Sequence, residues 1–157
     1  MAAVPNLVLK AGSRALRILH DEGLTLDRVR VLAGASGGPK WLVLSGMDLA
    51  LAPHLKKRDR KLLCIGSSIG SWRMAALAQE DNKSAVRALE EHYIGQSYFG
   101  RPTAHEITAE SRRIGSTYIS DDDIRFMLRH PVMKLAFLAA KSRWPGSSDR
   151  LVPQAAH

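Results

Sequence analysis

Two five-residue runs constrain the fold of this chain more than anything else in it: Gly34-Ala35-Ser36-Gly37-Gly38 and Gly66-Ser67-Ser68-Ile69-Gly70. Both fit Gly-x-Ser-x-Gly, a pattern that can set a serine on a sharp strand-to-helix turn. Arg28 to Ala33 before the first run reads as a strand, with Val29, Val31 and Leu32 as its apolar residues. Pro39 suits the first position of a helix, where its missing N–H costs nothing. That helix is expected over about 39–52. Its apolar residues (Trp41, Leu42, Val43, Leu44, Met47, Leu49, Leu51) lie nearly all round, as in a buried helix. Lys61 to Ile65 is a second apolar strand, of the kind a covered parallel sheet produces, and a helix from about Ile69 to Gln79 follows. Strand, helix, strand, helix calls for parallel strands with right-handed crossovers. The fold class is therefore α/β, three-layer αβα with a mostly parallel sheet.

The remaining segments fill in around this frame. A first helix is expected at 13–22, capped by Ser13 and ended by Gly23. A further helix at about 83–94 puts Val86, Leu89 and Tyr93 on one side. Thr103 to Glu106 makes a capping box for another, and Asp121 is expected to cap one more through about Arg129, where Pro131 breaks it. Met133 to Ala140, bounded by Pro131 and Pro145, reads as a buried third strand. One domain over 1–144 with an unpacked tail over 145–157 is the expected organisation.

The bulk properties exclude more than they select. The 157 residues, 45% apolar and 24% charged, suit one globular domain with a real core. No basic stretch followed by a long apolar run opens the chain, so no signal peptide is expected. No apolar stretch approaches the roughly 20 residues that span a bilayer. A single cysteine, Cys64, fits a reducing, cytoplasmic setting. The net charge of +8 admits nucleic acid, an anionic membrane surface, or solubility alone. Its densest run, Lys56 to Lys61, reads as a solvated loop or strand entry, and no nucleic-acid-binding motif accompanies it. The run also lies a strand length, roughly 15–17 Å, from the second pentad. Cys64 is expected to be a small buried hydrophobe. His92, His105 and His130 read as surface or helix-end residues, and Trp41 and Trp72 as packing helices on the sheet.

The two pentads differ in placement. Strand residues run straight into Gly66, so Ser68 sits at the apex and Ile69 opens a helix, whose N-terminus lends donors to a developing oxyanion. Ser36 stands three residues before Pro39, on a looser loop. Ser36 to Lys40 instead offers successive backbone N–H groups without bulky side chains, an anion-binding concavity. A Walker-A loop does not fit, because Pro39 precedes Lys40 and Trp41 stands where Ser or Thr would bind magnesium.

The pair of motifs, with "GSSIGSWRMAALA" and "RHPVMKLAFLAAKSR", resembles the patatin-like phospholipases, a bacterial subgroup in particular, over about residues 11–143. By that resemblance Ser68 is the nucleophile of a lipid acyl hydrolase and Gly37 and Gly38 supply the oxyanion hole. Lys40 holds the basic position of the Gly-rich motif, and Gly66 and Gly70 flank the elbow. No cofactor or metal is implied, and the expected partner is a lipid or other acyl ester, with peripheral contact to an anionic membrane. Ser36 stands where the family has another glycine, and Trp41 replaces its closing glycine. The family's catalytic Asp lies in a downstream Asp-Gly motif, and this sequence has no Asp-Gly pair. The chain is accordingly expected to be the N-terminal part of such a domain, or a shortened relative, with a nucleophile but no base. The alternatives are a non-catalytic basic module that binds anionic membrane or nucleic acid, and an α/β-hydrolase with Ser68, one of Asp121 to Asp123, and His130.

Overall fold

A computed structural model describes residues 8–141. Three parallel strands form its sheet: β1 (Val31–Gly34), β2 (Leu62–Ser67) and β3 (Met133–Leu138), in the order β1-β2-β3. Val31 pairs with Leu63 in β1 and β2, and Leu62 to Ser67 pair one for one with Met133 to Leu138. Six helices accompany it: α1 (Ser13–Glu22), α2 (Ser45–Lys56), α3 (Ile69–Leu77), α4 (Asn82–Ile94), α5 (Ala104–Tyr118) and α6 (Asp121–Leu128). The α/β class and the parallel sheet are those the sequence leads one to expect.

The core gathers where the strand–turn–helix pattern puts it. Leu62, Cys64 and Met133 are buried from the sheet, and Ile69, Met74, Ala76 and Leu77 of α3 pack on them. Val86 and Leu89 of α4, Ala52 and Leu55 of α2, and Ile114 and Tyr118 of α5 close the outer side. Side chains alternate across the sheet, so the residues between the buried ones share the opposite face. There Val31, Ala33, Leu63, Lys134 and Leu138 are exposed, and Ile65 and Ala136 are half-buried. Among the described residues, helices thus cover one face of the sheet and leave an apolar face open, where parallel sheets are usually covered on both.

Several local expectations need correction. The expected strand at 28–33 begins later, at Val31, because Leu26–Arg28 wind into a 3-10 turn. The helix expected at 39–52 begins as a 3-10 segment, Gly38–Leu44, and becomes α-helical only as α2. Nor is it buried all round: Val43 is 82% exposed. The residue before α1 is Gly12, and Ser13 lies inside the helix instead of capping it. Ser120, not Asp121, caps α6, in a reciprocal box with Asp123. The box of Thr103 and Glu106 at α5 forms as expected. The third strand is buried only at its start, since Phe137 and Leu138 are exposed. The basic run is not wholly solvated either. Arg58 is buried and donates to the carbonyls of Leu26 and of Val29, the latter at 2.7 Å, holding the entry to β1. The tail over 145–157 lies outside the described residues.

Candidate active site

The centre of the candidate site is the junction of β2 and α3. Ser67 ends the strand and Ile69 begins the helix, so Ser68 makes the whole turn alone. Its φ of 51° and ψ of −129° lie where L-residues rarely go. Among the described residues it is the one non-glycine with positive φ. Such strain costs on the order of 1–3 kcal/mol and persists only where the surroundings enforce it. The turn leaves Ser68 exposed, and its hydroxyl caps no N–H of the helix.

What enforces the turn is glycine against glycine. A β-carbon on Gly70 would fall on the Gly34 carbonyl oxygen and lie 2.8 Å from that of Ala35. One on Gly34 would lie 2.7 Å from the Gly70 carbonyl oxygen, and one on Gly66 would strike the backbone of Ser71. The end of β1, the end of β2 and the first turn of α3 therefore touch backbone to backbone. The two pentads are brought together at the carboxyl edge of the sheet, as a parallel arrangement requires.

The first turn is built differently. A β-carbon on Gly38 would meet nothing within 4 Å, and one on Gly37 would meet only the Lys40 Cβ at 3.9 Å. Gly38 takes the left-handed φ of 52° here, and Ser36 does not. The N–H groups of Gly37 and Gly38 donate to no carbonyl among the described residues, while Lys40 N–H closes the turn onto the Gly37 carbonyl at 3.2 Å. Ser36, Gly37 and Lys40 are exposed. Free donors in open space are what an oxyanion or other anion needs.

Behind this turn lies a cavity of about 410 Å³. Its exposed side carries Ser36, Gly37 and Lys40, and its half-buried walls are Leu32, Leu44 and Leu51. The buried side holds an ion pair that the sequence reading missed. Arg73 of α3 donates from Nε and Nη2 to the two carboxylate oxygens of Asp48 in α2, at 2.7 and 2.8 Å. Asp48 is 2% exposed and Arg73 9%. Five positions separate Arg73 from Ser68, so the pair ties the elbow's helix to the helix that follows the first turn. The buried Trp41 lies beside it and meets Tyr93 of α4 edge-on at 5.6 Å, while Trp72 stacks on Tyr118 at 6.4 Å. Both indoles thus contact an aromatic ring of another helix. Cys64 is fully buried, and desolvation pushes its thiol up to about 11, which keeps it protonated.

The residues of a Ser–Asp–His triad stay apart. His130 is buried at the foot of β3, and its Nδ1 accepts from the backbone N–H groups of Val132 and Met133 at 3.1 and 2.9 Å. Met133 pairs with Leu62, the first residue of β2, so His130 and Ser68 lie at opposite ends of that strand, about 20 Å apart. Asp122 is engaged with Arg125 at 2.6 Å, and Asp123 with the Ser120 cap. Lys61, in the basic run, donates to the Pro131 carbonyl at that same far end. No helix among the described residues is long and apolar enough to cross a membrane. No family model, curated protein or solved structure matches the chain.

Proposed function

We propose that this chain carries the nucleophile and oxyanion half of a serine acyl-ester hydrolase, patatin-like in plan. Ser68 is the nucleophile, and the free N–H groups of Gly37 and Gly38 receive the oxyanion. The backbone of Ser68 carries the reading: a non-glycine residue held at φ 51° on a strand–helix junction is strain kept where a hydroxyl must stand clear. In this reading Ser68 Oγ attacks the ester carbonyl carbon and the carbonyl electrons move onto oxygen. When the carbonyl re-forms, the alcohol leaves with a proton and the acyl group stays on Ser68. Lys40 at the rim adds positive charge beside the oxyanion. Gly66 and Gly70 allow the turn to close, and Ser36 spaces the donors.

No Asp-Gly pair exists to supply the family's base, so the serine proton has to leave to solvent. Acylation is then slow and rises with pH, without the plateau of a titrating partner. Residual catalysis from binding and the oxyanion hole is the expected level. A fluorophosphonate probe tests this, since Oγ would displace fluoride from phosphorus and remain bonded to it. Wild type and Ser36→Ala should label, and Ser68→Ala should not. Equal labelling of wild type and Ser68→Ala would overturn the assignment.

A further inference from the structure

The cavity behind the first turn gives the proposed acyl hydrolase a substrate class. We infer that it receives the acyl chain of the ester, and that the buried Asp48–Arg73 pair limits that chain to medium length. The inference rests on the reading of Ser68 as nucleophile, but its geometry is separate.

Three observations carry it. The cavity begins at Gly37, itself one of the proposed oxyanion donors, and at its neighbours Ser36 and Lys40, so a chain bonded to the reacting carbonyl has its entrance there. Its walls at Leu32, Leu44, Leu51 and Met74 are apolar, and about 410 Å³ falls in the range of small-ligand pockets. Its buried side is closed by charge. Asp48 and Arg73 satisfy each other through two bonds, and both line the cavity. A methyl end that reaches this pair would press an apolar group on two charges that already satisfy each other, offering them no hydrogen bond, which is unfavourable. The second apolar groove, between α6 and β3 at Ile124, Met127, Leu128, Leu135 and Phe137, shares no residue with either turn.

The pair can be exchanged for apolar side chains, because such replacement of a buried ion pair is often neutral or stabilising. The experiment measures calorimetric binding of hexanoate, octanoate, decanoate and dodecanoate to the full chain. In parallel it measures labelling rates with fluorophosphonates carrying the same alkyl lengths. Wild type should show an optimum at octanoate or decanoate. Asp48→Leu/Arg73→Leu should move the optimum to longer chains, raising the dodecanoate-to-octanoate ratio by about tenfold or more. Leu51→Trp, which fills the cavity, should move it to shorter ones, and Leu128→Ser in the other groove should leave it in place. No saturable binding to wild type, or an optimum unmoved in both cavity variants, would overturn the inference, as would a shift caused by Leu128→Ser. If binding shifts as stated while labelling matches that of Ser68→Ala, the cavity stands and the nucleophile reading falls.

Discussion

The two glycine turns share a sequence pattern and solve opposite problems. At the second, every glycine is hemmed in by backbone, and the strained left-handed position falls to Ser68. At the first, Gly37 and Gly38 border open space and the left-handed position falls to Gly38, which adopts it without penalty. Room at one turn leaves N–H groups free, and crowding at the other pins a hydroxyl in place. A Gly-x-Ser-x-Gly match therefore says little until one knows which of its residues bears the strain.

Substitutions can break this contrast. Gly70→Ala should have the largest effect, a destabilisation beyond about 4 kcal/mol, because the new methyl meets the carbonyls of Gly34 and Ala35 and neither can move alone. Gly37→Ala should stay within about 0.5 kcal/mol, and comparable chemical-denaturation midpoints for the two would refute the contrast. Asp48→Ala comes next: it strands the Arg73 charge in the core and should cost about 3–5 kcal/mol by the same measurement. At the strained positions the signs should oppose. Ser68→Gly should stabilise by about 1 kcal/mol as the turn relaxes, and Gly38→Ala should destabilise by a similar amount. Two changes of the same sign would remove strain as the distinction between the turns.

The smallest effect belongs to the far end of the strands, away from both turns. Burial first, then the charges of Lys134 and Lys61, lowers the pKa of His130 from its ordinary 6.5. The folded state thus favours the neutral ring that accepts from Val132 and Met133. Stability is full above about pH 6.5 and declines as pH falls toward the lower folded value, because the unfolded chain takes the proton first. Melting temperature followed from pH 7.5 to 5 should fall in wild type and fall less in His130→Gln.

The periodic parts of the fold were readable from sequence because their causes are local. Leu62 to Ile65 is apolar enough for a central strand, Gly95 marks the end of α4, and Thr103 with Glu106 announces α5. The apex position of Ser68 followed from strand residues that run straight into Gly66. What stayed hidden depends on distant partners. Asp48 reads as an ordinary polar residue of a helix until Arg73, 25 positions on, folds against it. Arg58 looks like one charge among several until the carbonyls of Leu26 and Val29 are in reach. Ser120 lost to Asp121 as the expected cap because both are good capping residues, and only the backbone angle separates them. The bare sheet face could not be read from alternation alone, since Leu63 and Ile65 are as apolar as the residues they alternate with.

The order of the strands has a consequence for motion. β2 is the one strand of the three bonded on both sides, between edges formed by β1 and β3. Its amides can exchange with solvent only when a neighbour lets go, so they belong to the class of protons that report the opening of the whole domain. Ser68 follows directly on the element that should be last to breathe. Thermal energy can open the edge strands many times over before it disturbs the turn that holds this hydroxyl.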